Sequence, residues 1–294
     1  MTLFEDQIKH YRKQAGLSQE KMAEKIGVSR QAITKWENGT GTPDISNLMA
    51  IANLFQISID ELLSNEKTES KKSEYIYESR TEYDIDGKKD FDIKLGGAYK
   101  VDLKAYNGEK IVVELFSNVY KNIQSDYKVK IDDIRHNIDI ELARLNGVSE
   151  AIAKESLVVN INIPTQYIGR VEISVNAGTL TVNDIENENI EINGKISEVA
   201  LKGNKSEIEI DSNLDMQIDV ISHEGAVEIN QLSATSRLII PESFSFRSAK
   251  KGIANTIYYE KYGKKVESFS NDESDNYIEL NGIKSELVIA IDEA

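Results

Sequence analysis

The stretch that decides the fold of the first domain is residues 17–39, LSQEKMAEKIGVSRQAITKWENG. Ser18 and Ser29 are suited to cap helices, because a serine hydroxyl accepts a hydrogen bond from a backbone N–H of the first turn. Between them, Met22 and Ile26 have the spacing of one helical face, and Gly27 interrupts the pattern. The stretch therefore predicts two short helices joined by a tight turn.

The flanking sequence extends this pair into an all-α domain. One helix precedes Gly16, another follows the cap signal Thr42-Pro43, and a capping box over residues 58–61 opens a last short helix. We predict a five-helix domain over residues 1–64, whose second and third helices form a helix-turn-helix. In that geometry the second helix of the motif fits the major groove of DNA.

These residues resemble the phage-repressor and Cro-like helix-turn-helix regulators, also called the xenobiotic-response-element type. The likeness covers residues 5–63, and it is carried by Gly16-Leu17-Ser18-Gln19, Ala23, Gly27-Val28-Ser29, Ile33, Trp36-Glu37-Asn38-Gly39, Pro43, Leu48, Ile51-Ala52 and the closing residues 57–63. The resemblance implies a transcriptional regulator that binds double-stranded operator DNA.

The resemblance places the outward face of the third helix, residues 29–37, in the groove. Arg30 is suited to guanine, Gln31 to adenine, and the methyl group of Thr34 to thymine. The DNA-binding residues that we predict are Ser18, Gln19, Ser29, Arg30, Gln31, Thr34, Lys35, Asn38 and Thr40. In relatives an arginine matching Arg12 pairs with the acid matching Glu37, which implies a structural pair here.

The chain changes character after residue 64. Residues 65–74 contain no apolar side chain and are predicted to be a polar linker. From residue 75 to residue 294, short alternating runs rich in Ile, Val and Tyr replace the helical pattern. We therefore predict a second, all-β domain over residues 75–294.

Inward-facing apolar residues of this second domain recur at a nearly constant step along the sequence. The series are Ile161, Leu180, Val199 and Ile218; Ile163, Val182, Leu201 and Val220; Val171, Ile190, Ile208 and Val227; and Ile173, Ile192, Ile210 and Ile229. Such a period favours a β-solenoid, in which each coil stacks on the one below. A β-sandwich with regular strand spacing is the alternative. Ile93, Val112 and Ile131 are spaced by the same step, but their flanks do not match.

The second domain also resembles, more weakly, a bacterial β-solenoid family labelled "putative adhesin". That likeness rests on the runs at residues 171–175, 206–210 and 287–291. The label implies no mechanism, and we expect this domain to dimerise, sense a signal or bind a partner.

Composition argues against several other classes of protein. The sequence has no cysteine and only three histidines, so neither a thiolate zinc site nor a histidine-rich metal site is expected. The turn with Asp184, Glu186 and Glu188 lacks the ligand order of a calcium loop. We expect no cofactor and no metal, and we find no set of catalytic residues, so an enzyme is not expected. No apolar run reaches the roughly 20 residues of a membrane span, and a cytoplasmic location is expected.

Charge is unevenly distributed along the chain. Residues 1–64 hold seven basic and eight acidic residues, whereas residues 65–294 hold 28 and 42. The acidic load of the second domain therefore does not exclude DNA binding by the first. We predict a sequence-specific regulator that binds DNA as a homodimer, and the alternative is a protein-interaction scaffold with a subordinate DNA-binding domain.

Overall fold

A computed structural model describes residues 4–14, 17–55 and 75–292 of the chain. The chain divides into two compact units, Met1–Glu74 and Tyr75–Ala294. The predicted linker and the predicted helix at residues 58–63 lie outside the described residues. The architecture is a helical domain followed by a large all-β domain, as the sequence predicts.

The described part of the first unit consists of the helices α1 (Phe4–Gln14), α2 (Gln19–Ile26), α3 (Arg30–Glu37) and α4 (Ile45–Phe55). Each helix contributes at least one side chain to a common core. Ile8, Met22, Ile33 and Ile51 are fully buried, and Trp36 is 6% exposed. This core fixes the outward face of α3, because the helix can bury only the side that carries Ile33 and Trp36.

The ends of these helices follow from local hydrogen bonds. The hydroxyl of Ser18 accepts from the N–H of Lys21, and Gly27 adopts a left-handed conformation with φ 74° that ends α2. The prediction that Thr42-Pro43 caps the fourth helix is wrong. Asp44 is the cap, because its carboxylate accepts from the N–H of Asn47 at 2.8 Å, and α4 begins at Ile45.

Residues 75–292 form one sheet of seventeen strands with two short helices. The strands are β1 (Tyr77–Asp84), β2 (Lys89–Tyr106), β3 (Lys110–Ser117), β4 (Tyr127–Ile134), β5 (Asn137–Arg144), β6 (Val158–Pro164), β7 (Ile168–Asn183), β8 (Glu186–Asn193), β9 (Ile196–Asp211), β10 (Gln217–Glu224), β11 (Ala226–Leu232), β12 (Thr235–Ile239), β13 (Arg247–Lys250), β14 (Thr256–Lys261), β15 (Lys264–Val266), β16 (Tyr277–Ile283) and β17 (Glu286–Ile291). The helices are α5 (Ile123–Asp126) and α6 (Glu150–Ser156), and Thr165–Tyr167 form a 3₁₀ turn.

Two of the predicted repeat series are parallel ladders of this sheet. Val171, Ile190, Ile208 and Val227 are successive partners, and Ile173, Ile192, Ile210 and Ile229 follow two residues later. All eight side chains are at most 1% exposed. The repeat step in the sequence is therefore the length of chain that returns a strand to the position beside its predecessor.

In the other two series, the first residue is not a neighbour of the second, because β2 lies between them. Leu180 pairs with Val199 as predicted, but its partner on the other side is Val101 of β2, and Ile161 pairs with Leu103. The strand β2 lies between β5 and β6 on one side and β7 on the other. Sequence periodicity missed this insertion because β2 is separated from β7 by more than sixty residues of chain.

The equal spacing of Ile93, Val112 and Ile131 in the sequence does not correspond to a ladder in the sheet. Ile93 pairs with Ile140 and Ile173, and Ile131 pairs with Ile140, whereas Val112 pairs with Asn162 in another part of the sheet. The equal numerical steps therefore do not describe one ladder.

The C-terminal end of the β domain has the same kind of interleaving. The strands β16 and β17 are last in sequence, but β16 pairs with β11 and β13, and β17 pairs with β12 and β14. Both β16 and β17 thus have a strand partner on each side. They connect the strands of residues 226–239 with those of residues 247–261.

Candidate nucleic-acid interface

The outward face of α3 carries polar side chains without partners. Arg30, Gln31, Lys35 and Asn38 are exposed, and within the described parts of the chain their side chains make no hydrogen bond or ion pair. Arg30, Gln31 and Lys35 lie on the side of the helix opposite Ile33 and Trp36, and Asn38 follows the last residue of the helix. These four side chains, which we call the α3 polar face, are free to bind an external group.

Two of the predicted site residues cap helices. The hydroxyl of Ser29 accepts a hydrogen bond from the N–H of Ala32 at 3.2 Å, so α3 begins at Arg30 and not at Ser29. The hydroxyl of Ser18 does the same for Lys21 at 3.1 Å. Both hydroxyls retain a proton that can be donated to another group, and both helix N-termini have N–H groups suited to an anion.

A buried carboxylate links α1, α2 and the end of α3. Arg12 donates to both oxygens of Glu37, with Nε to Oε1 at 2.5 Å and Nη2 to Oε2 at 3.0 Å. The third guanidinium nitrogen donates to the carbonyl of Leu17 at 2.7 Å. The side chain of Glu37 is 1% exposed, and that of Arg12 is 11% exposed. The two residues implied as a structural pair are therefore in bidentate contact.

The same carboxylate also holds Gln19. The amide nitrogen of Gln19 donates to Oε2 of Glu37 at 2.8 Å, and its amide oxygen accepts from the hydroxyl of Thr34 at 3.2 Å. Gln19 and Thr34, which are both among the predicted DNA-binding residues, are thus half-buried and bonded to each other. No pattern in the sequence indicated the contact between Gln19 and Glu37, because it joins residues 18 positions apart.

Thr40 is also occupied by the protein itself. Its backbone N–H and its hydroxyl both donate to the carbonyl of Lys35, at 2.9 Å and 3.3 Å. This contact closes the C-terminal end of α3, where carbonyl groups lack partners within the helix. Both donors of Thr40 are therefore engaged within the domain, and the exposed Asn38 has no side-chain partner among the described residues.

The environment of Glu37 lowers its pKa. Burial is the largest single influence and raises the pKa, but the hydrogen bonds from Arg12 and Gln19 together with the positive charge of Arg12 outweigh it. The hydrogen bond to Glu37 in turn raises the pKa of Arg12. Both groups are therefore charged at neutral pH, and the pair is retained over the whole neutral range.

This lowered pKa predicts acid sensitivity of the helical domain. The stabilisation is present above the ordinary pKa of 4.5 and is lost as the pH falls through the lower pKa of the folded state. We expect the urea midpoint of the helical domain, measured by the fluorescence of the single tryptophan Trp36, to fall as the pH drops below the ordinary glutamate pKa of 4.5. In Glu37→Gln this part of the pH dependence should disappear, and parallel curves for the two proteins would contradict the assignment.

Comparison with known proteins agrees with this geometry. A family model described as "Helix-turn-helix" matches residues 8–62. The HTH-type transcriptional activator BcrR of Enterococcus faecalis is 44% identical over 64 residues, which are 22% of this chain and 31% of that protein. The uncharacterized HTH-type transcriptional regulator MJ0272 of Methanocaldococcus jannaschii is 36% identical over 64 residues, which are 22% of this chain and 97% of that protein. The chain belongs to the helix-turn-helix transcriptional regulators.

The curated proteins that this regulator resembles each match about a fifth to a quarter of its length, from 19% to 27%. The uncharacterized HTH-type transcriptional regulator YqaE of Bacillus subtilis is 40% identical over 67 residues, 23% of this chain and 58% of that protein. The regulator thus spans a third to little more than half the length of the first relatives that it matches. DNA-binding regulation is the activity that the family shares.

Solved structures resemble the two units separately. The P22 c2 repressor in complex with a synthetic operator is 32% identical and covers 22% of this chain and 100% of that chain, with a TM-score of 0.22. The β domain matches a structure described as a "putative cell adhesion protein" from Clostridium sporogenes, 14% identical, covering 73% of this chain and 99% of that chain, with a TM-score of 0.36. Among the described residues, no helix is long and apolar enough to cross a membrane.

Proposed function

We propose that this regulator recognises a specific DNA sequence by inserting α3 into the major groove, and that it does so as a homodimer in the cytoplasm. The observation that carries the proposal is the α3 polar face. Its four side chains have no partner in the described parts of the chain, and the opposite side of α3 packs in the core. Unpaired polar groups on a rigid helix are what base recognition requires.

Each side chain of this face has a role that its chemistry supports. Arg30 lies in the first turn of α3 and can donate two hydrogen bonds to O6 and N7 of guanine, and Gln31 can pair with adenine in both directions. Lys35 can reach guanine or a phosphate, and the amide of Asn38, beyond the helix end, can donate to a phosphate. The hydroxyls of Ser18 and Ser29 and the N–H groups behind them would hold the DNA backbone.

Gln19, Thr34 and Thr40 would act differently from the α3 polar face. Their side chains are held by contacts within the domain, and those of Gln19 and Thr34 belong to the network around Glu37. We assign these three residues to positioning α3, with Thr34 contributing only its methyl group to the groove. DNA contacts by the free side chains would then be formed without first breaking protein hydrogen bonds.

We propose that residues 75–292 form a β-solenoid that brings two copies together or binds an effector. The parallel ladders, whose partners recur at the step seen in the sequence, support this architecture.

One ladder of the β domain is a row of glutamates. The successive partners are Glu172, Glu191, Glu209, Glu228 and Glu279. Burial, followed by repulsion among these carboxylates, raises the pKa of Glu191 and Glu228. Such an acidic row disfavours contact of this domain with DNA.

Replacement of Arg30 tests the assignment of α3. Selection from random duplexes should yield one motif, and Arg30→Ala should bind that motif about 5- to 150-fold more weakly, because a bidentate contact to guanine contributes about 1–3 kcal/mol of discrimination. The matched control is Lys25→Ala, which removes an exposed charge from α2. Equal loss on the motif and on random DNA would make Arg30 a phosphate contact, and absence of any motif would favour the scaffold alternative.

A further inference from the structure

The imidazole of His223 is buried near the end of β10. The residue is 6% exposed, and its Nε2 lies 3.3 Å from the carbonyl oxygen of Ala226. Because a carbonyl oxygen can only accept a hydrogen bond, Nε2 carries the proton of the neutral ring and Nδ1 has a lone pair. Nδ1 is buried without a hydrogen-bond partner among the described residues. The site therefore suits a neutral imidazole, and it offers no acceptor in bonding geometry for a second ring proton.

The hydrogen bond of His223 spans a tight turn of the chain, residues 224–226, which we call the Gly225 corner. Gly225 has φ 124°, and a Cβ atom at this position would lie 2.2 Å from the carbonyl oxygen of Ser206. Its N–H donates to the side-chain oxygen of Asn276 at 3.0 Å, and its carbonyl accepts from the N–H of Tyr277 at 3.2 Å. The corner that His223 closes is therefore also bonded to the start of β16.

The neighbouring strand has an uncharged residue at the same position of the ladder. Asn204 of β9 is the partner of His223, and it is 2% exposed. Its amide nitrogen donates to the carbonyl of Val182 at 2.8 Å, and its amide oxygen accepts from the N–H of Ile185 at 3.1 Å. Both bonds of Asn204 are independent of pH, because an amide does not titrate. His223 thus introduces a titratable group into a position that β9 fills with a neutral one.

The surroundings of His223 disfavour its charged form. Beside it lies a cavity of about 450 Å³, whose charged lining residues are Lys205 and Glu224. Their side chains are 3.5 Å apart and well exposed to water, whereas the lining from residues 241–245 and Asn276 is uncharged. Burial is the largest influence and lowers the pKa of His223, although the nearby backbone and the charge of Glu224 act in the opposite direction. The ring is therefore neutral where the Gly225 corner is closed.

We propose that His223 is a pH-sensitive switch, whose neutral ring closes the Gly225 corner and whose protonated ring releases it. A second proton places a positive charge and an unpaired donor in a buried site, and both are costly there. The charged ring is favoured in water beside Glu224, and reaching it requires breaking the bond to Ala226. The corner can open locally, without unfolding of the whole domain.

The direction of the pH dependence follows from linkage. Because the pKa in the closed state is below the ordinary value of 6.5, the open state binds protons more readily. The stability of the corner is therefore complete well above pH 6.5 and decreases as the pH falls below that value. This inference concerns the β domain and does not rest on DNA recognition by α3.

Proton NMR of the ring tests the switch in the full-length chain without relying on a variant to fold. We expect the ring protons of His223, identified by their absence from the spectrum of His223→Gln or by sequential assignment, to titrate below pH 6.5. A ring that titrates at or above this pH is not held in its neutral form by the closed corner, and this result overturns the proposal.

Hydrogen exchange in His223→Gln tests the link between the ring and the corner. The amide nitrogen of glutamine can donate to the Ala226 carbonyl but takes up no proton. After correction for intrinsic exchange, protection of the Gly225 and Tyr277 amides should fall at least about fivefold from pH 7 to pH 5 in the wild type, and less than about twofold in the variant. The matched control His136→Gln, which removes an exposed histidine, should behave as the wild type.

Two outcomes of the exchange experiment overturn the proposal. One is an equal fall of protection in the wild type and His223→Gln, which would assign the effect to other titrating groups. The other is an equal fall over all strands of the β domain, since the switch is confined to the Gly225 corner and the start of β16. If His223→Gln does not fold, the wild-type titration and the position of the affected amides still decide.

Discussion

A duplex with two half-sites one helical turn apart should bind the full chain about 100-fold more tightly than a duplex with one half-site. In a dimer, binding of the first α3 holds the second near its own half-site, and the effective concentration replaces a second encounter from solution. The expected gain is large even though residues 65–294 carry 14 more acidic than basic residues. Fluorescence anisotropy titrations of both duplexes at several salt concentrations measure it.

The spacing of the half-sites is the control for this effect. Insertion of five base pairs, about half a helical turn, moves the second half-site to the opposite side of the duplex and should abolish most of the gain. If one half-site binds as tightly as two, the regulator reads DNA as a monomer. The β domain would then have a sensory or inhibitory role, and dimerisation would not be its contribution to affinity.

Replacement of Glu37 by alanine should destabilise the helical domain by about 3 kcal/mol, since removing one member of a buried ion pair leaves a charge without compensation. The change leaves the guanidinium of Arg12 buried without its carboxylate and removes the partner of the Gln19 amide. Urea unfolding followed by Trp36 fluorescence measures the change. DNA binding should weaken in parallel because α3 loses its anchor to α1.

Two comparisons show whether the effect belongs to this pair. Glu24→Ala breaks the ion pair with Lys21, in which the side chain of Lys21 is 65% exposed and that of Glu24 is 68% exposed. It should change the free energy of unfolding by less than about 0.5 kcal/mol. In the double variant Arg12→Ala with Glu37→Ala, the loss should be smaller than the sum of the single losses. Additive losses would show that the two residues stabilise the domain independently.

The exposed polar face of α3, the candidate interface, could largely be predicted from the sequence, for a local reason. The serines at positions 18 and 29, the glycine at position 27 and the apolar spacing of α2 and α3 determine where the helices begin, end and face the core. Arg30, Gln31 and Lys35 then follow on the exposed side. The misplaced start of α4 shows the limit of such signals, because Asp44 and Thr42 both had side chains able to cap the helix and only the chain path selected Asp44.

The strand neighbours of the β domain could be predicted from the sequence repeat only where consecutive strands are also neighbours in the sheet. Between residues 171 and 229 the period in sequence and the ladder in the sheet coincide. At both ends a distant strand is inserted, β2 before β7 and β16 with β17 after β11 and β12. A periodic pattern shows which face of each strand is buried and which strands follow at the repeat step, but it does not reveal a distant strand that is inserted between two of them.

By itself, the sequence determined the helix boundaries of the helix-turn-helix, the buried and exposed faces of α3, and the alternation that makes the second domain all-β. These properties depend on the conformational preferences and the spacing of residues that are a few positions apart in the sequence. The tertiary structure alone decided that Gln19 is bonded to both Thr34 and Glu37, that β2 separates Ile161 from Leu180, and that β1 is an edge. Those outcomes depend on which distant segments meet, and that choice is made by the packing of the whole domain, in which many alternative neighbours have the same local pattern.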